Sequence, residues 1–563
     1  MLDNYDFNYN IEKNSRLIRN LVLSGEYATS KPIIYKLEKK FGINRHIVVP
    51  SPSDALLLQT LSDYIRPKVL SKQPSRNSYF SRDDSRVTRD WSPSYYGGNW
   101  LAQWKKMQGQ IYKFSKISNF LVVTDISDFY DNIDLSVLRR NLSNITDGKD
   151  AVVLNLMLKI VESLSWKPNY LPGSNRGLPT VQMEAVRLLA HLTLFEVDRF
   201  LLSNADDNFA RWMDDITFGV PTIEIGKVYL STISDILKVN GLSLNIAKTN
   251  ILSAHEARKE FMFDENLKVS ILESKISNGI IKAKLEQEVT NLLHSVTSNK
   301  NMKHWDKVTK RVIGLFPKLK SNKFLPDLEY YYLNYPTLRT PIIAYLRKLG
   351  YNKKTSEIVL KITKGMELID DVSLFQIVNL ITDWQIKTGD KSSSFLIEID
   401  EFLNKKFRLR ESPFDFYCYL WLKAKYSKPK DLIEFIERTS YIWSMHPFLR
   451  RQIIAVIPRV YPSAKKKNRE LLNQQLNSGD VSSISIALQL IEFLKLKKLD
   501  NKLKFYLFPK NLPDVYPLPK FLVLSAILNS TVLNPNQRDY LKKQISQKIS
   551  DPYYLMWLRR HFR

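Results

Sequence analysis

The sequence predicts an α+β chain: a strand-containing region followed by an all-α array of helical repeats. Three observations predict it. Phe209-Ala210-Arg211-Trp212 runs through Met213-Asp214-Asp215 into Ile216-Thr217-Phe218, which reads as strand, tight turn and strand with paired acids at the tip. Leu121-Val122-Val123-Thr124 is an apolar run that ends in Asp125. Past about residue 270 the pattern becomes helical throughout, and Tyr335-Pro336-Thr337-Leu338-Arg339-Thr340-Pro341-Ile342-Ile343-Ala344 recurs as His446-Pro447-Phe448-Leu449-Arg450-Arg451-Gln452-Ile453-Ile454-Ala455.

Composition narrows the function classes. With 563 residues the chain can hold more than one domain. A formal net charge of +27 calls for a polyanionic partner, nucleic acid first and an anionic membrane surface second. The single cysteine, Cys418, excludes an intrachain disulfide and a cysteine-built zinc cluster. Its setting, Phe416-Tyr417-Cys418-Tyr419-Leu420-Trp421, predicts a buried helix. No apolar run is long enough to cross a bilayer, and the polar start Met1-Leu2-Asp3-Asn4-Tyr5-Asp6 lacks a secretory pattern. The expectation is a cytoplasmic protein without a membrane partner.

Residues 12–40 carry helical spacing. Arg45-His46-Ile47-Val48-Val49 then predicts a short strand stopped by Pro50, and Ala55 to Ile65 a helix with Asp54 as N-cap. Arg45 either faces a phosphate or is a solvated strand arginine. Residues 71–98 read as a loop in which Arg76, Arg82, Arg86 and Arg89 alternate with Tyr79, Phe80, Trp91, Tyr95 and Tyr96. Such interleaving suits single-stranded nucleic acid, and equally a loop whose rings tuck into a core. Asp134 is the expected N-cap of a helix from Leu135. Arg176-Gly177-Leu178-Pro179-Thr180 is a turn feeding a helix over 181–202 with Val186, Leu189, Ala190, Thr193, Val197 and Leu201 on its apolar face. A helix over 223–240 and the segment from Gly241-Leu242 to Lys248-Thr249 complete this region.

The chemistry lies in the acids. A charge at the exit of an apolar strand is paired, capping or metal-bound. Adjacent carboxylates at a hairpin tip repel one another, which a divalent cation shared with a third carboxylate relieves; alone, Asp214-Asp215 could equally be a solvated turn.

Taken in order, these pieces resemble the palm of reverse transcriptases over residues 40–255. Asp125 matches the acid of that family's first palm motif and Tyr130 its aromatic steric gate. Gly177-Leu178-Pro179 matches the Gly-x-Pro turn, Asp214-Asp215 the paired acids, and Gly241-Leu242 through Lys248-Thr249 the motif whose lysine lies near the leaving pyrophosphate. Arg45 through Pro50 is similar to the fingers segment. The resemblance implies a fingers-like region with N-terminal helices over 1–120 and a palm over 121–260, and the helical pattern with its internal repeat predicts a HEAT-like α-helical repeat domain over 270–563. It implies Mg²⁺, for which Mn²⁺ can stand in, held by Asp125, Asp214 and Asp215 as catalytic residues. Tyr130, Arg45 and Lys248 would meet the dNTP, although surface solvation remains the alternative for Lys248. Gly177, Pro179, Thr180 and Trp212 would lie toward template and primer. Two departures stand out: the family's Pro-Gln-Gly is Pro179-Thr180-Val181, and Trp212 replaces Tyr. No thumb motif is recognisable after residue 255.

A palm joined to a helical array resembles the abortive-infection reverse transcriptases of bacterial phage defence. That resemblance implies untemplated DNA synthesis primed by a protein hydroxyl, in a homo-oligomer, with dNTPs, single-stranded DNA product or RNA as partners. Candidate priming residues are Tyr5, Tyr9, Tyr95 and Tyr96, the last pair beside Gly97-Gly98. The alternatives are a conventional RNA-templated enzyme, retron-like or other, and a nucleic-acid-binding scaffold with a relic palm. His446 reads as a surface or structural histidine, and Lys465-Lys466-Lys467-Asn468-Arg469 as a solvated loop or a phosphate contact.

Overall fold

The computed structural model describes residues 7, 11–80, 93–146, 148–168, 170, 173–278, 282–366, 370–386, 390–410, 412–461, 463–511, 516–551, 554–555 and 558, with backbone alone at 93–101, 282, 390–393 and 409–410. It is a mostly helical α+β protein with two small sheets. Two compact units divide it. One comprises Glu26–Phe324 with Pro336–Pro341, the other Met1–Gly25, Leu325–Tyr335 and Ile342–Arg563.

The first unit is built on a five-stranded sheet of order β3-β5-β6-β4-β7. Its strands are β3 (Ser78–Tyr79), β4 (Phe120–Thr124), β5 (Phe209–Trp212), β6 (Asp215–Val220) and β7 (Asn250–Ser253). All pairings are antiparallel except β3 with β5. Helices cover both faces, so β4 is apolar almost throughout rather than alternating. Leu121 and Val123 join Met107, Ile111, Phe114, Ala257 and Phe261 in one core cluster. On β4's other face the helix Ile223–Val239 presses close at Gly226, where a Cβ would stand 3.2 Å from Val122 Cγ2 and from Ile251 Cδ1. A separate ribbon, β1 (Ile33–Lys40) with β2 (Ile43–Val49), is antiparallel. Four helices after β7, Phe263–Ser277, Lys282–Ser298, Trp305–Ile313 and Leu315–Leu319, pack on one another and cluster with this sheet unit, although the sequence pattern starts the array at 270.

Several elements differ from expectation for local reasons. Residues 12–40 are not one helix: Ile11–Leu23 is helical, and Ile33-Ile34-Tyr35 belongs to β1 because a β-branched, aromatic run finds its partner in β2. The helix Pro52–Ser71 is capped by Ser51, whose hydroxyl accepts from the Asp54 amide, with Pro52 in its first turn. Asp54 instead accepts from Tyr27, Ser30 and Ser51. The predicted helix over 181–202 is two, Glu184–Leu192 and Phe195–Ala205, broken where the Thr193 hydroxyl bonds back to the Ala190 carbonyl at 2.7 Å. Within 71–98, Ser78–Tyr79 is a strand and the backbone from Pro93 is helical to Phe114. Asp134 caps Leu135–Ile145 as expected, accepting from Ser136 and Val137. Residues 465–469 open the helix Lys465–Leu476 rather than forming a loop.

The second unit contains only helices among its described residues, and many pack on the next but one in sequence. Asp371–Asp383 lies on Pro413–Tyr426, Pro447–Val456 on Val481–Leu496, and Val481–Leu496 on Leu518–Asn529. Pro447 stands in the first turn of its helix, whereas Pro336 opens a short 3₁₀ turn before Arg339–Leu349. Cys418 is buried in Pro413–Tyr426, and His446 is exposed. No helix among the described residues is long and apolar enough to cross a membrane.

Candidate active site

One end of the five-stranded sheet gathers the acids. β4 and β6 are paired as far as Thr124↔Ile216, so the next residues along that end are Asp125 and Asp215. β5 and β6 close at Trp212↔Asp215, which leaves Met213-Asp214 as a two-residue turn. Met213 takes φ +54°, a left-handed conformation that a bulky residue holds only under constraint. Two ties supply the constraint: the Met213 amide donates to the Tyr79 carbonyl at 3.1 Å, and Arg211 holds the Met213 carbonyl. The Arg211 side chain is fully buried, donates from Nη1 to the Met213 carbonyl at 3.0 Å, and pairs from Nε with Asp198 Oδ1 at 2.7 Å. Asp198 is also fully buried, and Arg211 Nη2 completes the network 3.1 Å from His191 Nδ1. Burial and then the Arg211 charge hold His191 well below the usual histidine range, so it is neutral.

The segment after Gly241 lies alongside Asp125. Asn245 donates to the Asp125 carbonyl at 2.7 Å, Ser127 to the Ser243 carbonyl at 2.9 Å, and Ile126 bridges Leu244. Thr124 and Thr249 share a hydroxyl hydrogen bond of 2.6 Å. The 3₁₀ turn Ile246–Lys248 thereby delivers the Lys248 ammonium to the Asp125 carboxylate. Partial burial opposes that charge, yet Asp125, Asp215 and Asp214 together hold Lys248 above the ordinary lysine range.

The three carboxylates are not equivalent. Asp214 is pushed up to about 6, first by burial and then by the charges of Asp215 and Asp125. Burial would raise Asp215 too, but Lys303 and Lys307 outweigh it and hold it below the ordinary range. Lys303 Nζ is 3.0 Å from Asp215 Oδ1.

Tyr130 lies within electrostatic reach of Asp214. Burial pushes its hydroxyl up to about 12; Asp214 adds to this, while Arg187 and Arg45 oppose it. The turn at Gly177 fixes its backbone: Leu178 donates to the Tyr130 carbonyl at 2.8 Å and Gly177 to the Ile133 carbonyl at 2.9 Å. Gly177 has φ +97°, which a side chain would strain. Val48 donates to the Thr180 carbonyl at 2.9 Å, which ties β2, and with it exposed Arg45, to this turn; Pro179 is buried. Asp125, Asp214, Asp215, Lys248, Tyr130, Arg45 and the Gly177–Thr180 turn are thus brought together. Trp212 is half-buried and stacks on Tyr79 against the core cluster. Tyr5 and Tyr9 lie outside the described residues. Tyr95 and Tyr96 sit on helical backbone rather than in a loop, and their side chains lie outside the described residues.

Sequence reasoning missed Lys303, Lys307, Arg187 and the Arg211–Asp198 pair. Arg211 carried a signal, since a charge inside Phe209-Ala210-Arg211-Trp212 requires a partner. Asp198, among Phe195, Val197 and Leu201, carried the matching one.

Asp125 and Asp214 offer hard oxygens of the type Mg²⁺ prefers, and the mutual repulsion that raises Asp214 is what a bound cation would relieve. Asp215 is engaged by Lys303, and no group of three His, Cys, Asp or Glu among the described residues is arranged to share one metal ion.

No family model and no curated protein matches the chain. Among solved structures it is similar to telomerase from Candida tropicalis in complex with the TWJ fragment of telomeric RNA, at 12% identity and TM-score 0.31 over 65% of this chain and 67% of that one. Telomerase from Candida albicans with the same kind of RNA fragment gives 11% and 0.29 over 67% and 62%, and apo Candida tropicalis telomerase 12% and 0.29 over 73% of both chains. Likenesses this low decide nothing about activity.

Proposed function

We propose that the chain is a reverse-transcriptase-like DNA polymerase that transfers nucleotides from dNTPs at the Asp125–Asp214 end of the sheet. The observation that supports this most is the meeting of Asp125 with the Asp214-Asp215 hairpin, with Lys248 on one acid and Tyr130 beside another. Bound Mg²⁺ ions would neutralise charge on the attacking and leaving oxygens of an in-line displacement. Asp125 and Asp214 would hold such a cation. Lys248, 59% exposed at its side chain, can leave Asp125 for the phosphates and compensate the departing pyrophosphate. Tyr130 occupies the space of a 2′-hydroxyl. Tyr130→Val should therefore narrow the dNTP/NTP ratio of kcat/KM by about tenfold or more. An unmoved ratio would reduce Tyr130 to a packing residue.

In its finer form the proposal is untemplated, protein-primed synthesis by a homo-oligomer whose second unit is a HEAT-like array, acting in phage defence as the family resemblance implies. A second reading, RNA-templated synthesis on a conventional primer, is favoured by the helices over 263–319 beside the sheet. They follow β7 after the one short helix Ala254–Glu260, in the part of the chain where a primer-holding thumb would come, and they remove one motive for self-priming. The test is incubation of purified protein with labelled dNTPs and Mg²⁺, with and without an RNA template and DNA primer. Label that stays on protein in denaturant without nucleic acid supports protein priming, and mass spectrometry then locates the tyrosine. Incorporation only with template and primer supports the second reading, and none in either arm ends both.

A further inference from the structure

Lys303 comes from no recognised motif, yet it reaches the hairpin acid. It precedes the helix Trp305–Ile313, and its own segment is well anchored. The Lys303 amide donates to Glu260 Oε1 at 2.8 Å and the His304 amide to the Glu260 carbonyl at 3.3 Å. The buried His304 ring meets Phe261 edge-on at 4.9 Å, and Lys307 Nζ lies 3.3 Å from His304 Nε2. The two lysine–acid pairs at this sheet end differ in which partner is covered. The Lys248 side chain is 59% exposed and its partner Asp125 8%, whereas the Lys303 side chain is 19% exposed and its partner Asp215 34%. An exposed ammonium leaves its acid for another anion at little cost, whereas a covered one that loses its acid is stranded away from water.

We propose that Lys303 is a positioning residue that pins Asp215 in a standing ion pair and keeps it out of the cation's ligand set, leaving Asp125 and Asp214 to hold a divalent metal. This rests on the polymerase reading and deepens it. Asp215 then serves to set the hairpin and the net charge of the site. Without Lys303 it becomes an additional carboxylate for the cation. A divalent metal would then be gripped more tightly by a different set of carboxylates, and turnover would fall while substrate binding is retained.

Mn²⁺ binding to the full-length protein without nucleotide, followed by the electron paramagnetic resonance of free Mn²⁺, tests this independently of activity. Lys303→Met should bind Mn²⁺ more than threefold tighter than the unaltered protein; a change of threefold or less overturns the proposal. The double variant Lys303→Met/Asp215→Asn removes the pair without leaving a lone charge, and covers the case in which the single variant does not fold. Its Mn²⁺ affinity should stay within threefold, and a larger loss would make Asp215 a ligand and overturn the proposal. In the incorporation assay Lys303→Met should lower kcat by tenfold or more with the dNTP KM within twofold, and Lys303→Arg should restore most of it. If the unaltered protein incorporates nothing, the polymerase reading fails, while the Mn²⁺ comparison still decides the role of Lys303.

Discussion

Asp214→Asn, and separately Asp125→Asn, should abolish nucleotide incorporation, by about 10³-fold or more, because each removes an anionic ligand that would hold the divalent cation against the negative charge developing in the transition state. The same Asp214→Asn should make the metal-free protein more stable. In the fold Asp214 is raised from 3.8 to about 6, first by burial and then by Asp215 and Asp125. A carboxylate with a raised folded value favours folding below its unfolded value and loses that contribution as pH rises through the folded one. At neutral pH Asp214 is therefore a net cost, on the order of 1–2 kcal/mol after allowance for its partial exposure. In chelator, Asp214→Asn should melt higher than the unaltered protein at pH 7.5, and the gap should close as pH falls from 6 toward 4. Loss of activity with gain of stability separates a functional acid from a structural one. Incorporation by either variant near the unaltered level would remove the acids from the mechanism.

Arg211→Met should cost about 3–5 kcal/mol, since it leaves the buried Asp198 carboxylate without its partner. Asp198→Asn should cost a similar amount. A matched apolar pair, Arg211→Met with Asp198→Leu, should recover most of that stability, because two buried charges are then absent together. It should not recover activity. The Met213 carbonyl loses its Nη1 donor, and the turn that carries Asp214 at positive φ of its preceding residue loses one of its two ties. Urea denaturation and incorporation assays on the three variants separate the two effects. If the double variant is as active as the unaltered protein, Arg211 serves stability alone.

The sheet end was legible because its chemistry is local in sequence. Apolar Leu121–Val123 followed by Asp125, and Asp214-Asp215 between β-forming runs, announce acids at strand ends whatever the rest of the chain does. Lys248 follows from the order of motifs, and its delivery to Asp125 needs only the short path from β4 to the neighbouring segment. Lys303 was not legible. Its role depends on where the helices after β7 return to the sheet, and Asn301-Met302-Lys303-His304-Trp305 has no spacing that marks it. Arg211 and Asp198 were half legible: each is a charge on an apolar face, but sequence alone does not say that one satisfies the other. The helix over 181–202 misled because its apolar spacing continues through Thr193, while the backbone leaves the helix at Leu194 (φ −108°, ψ 10°), a local turn that apolar spacing does not mark. The strand over 33–40 was hidden because Lys36, Glu38, Lys39 and Lys40 carry a helix-compatible charge pattern, and pairing with β2 overrode it.

The most direct test is anomalous diffraction from crystals grown with Mn²⁺ and a non-hydrolysable dNTP analogue. A manganese peak bridging the Asp125 and Asp214 carboxylates is expected, with the triphosphate toward Lys248 and the sugar against the Tyr130 ring. A triphosphate bound elsewhere, or manganese absent from those two carboxylates while present at other sites, would contradict the assignment of this sheet end as the polymerase centre.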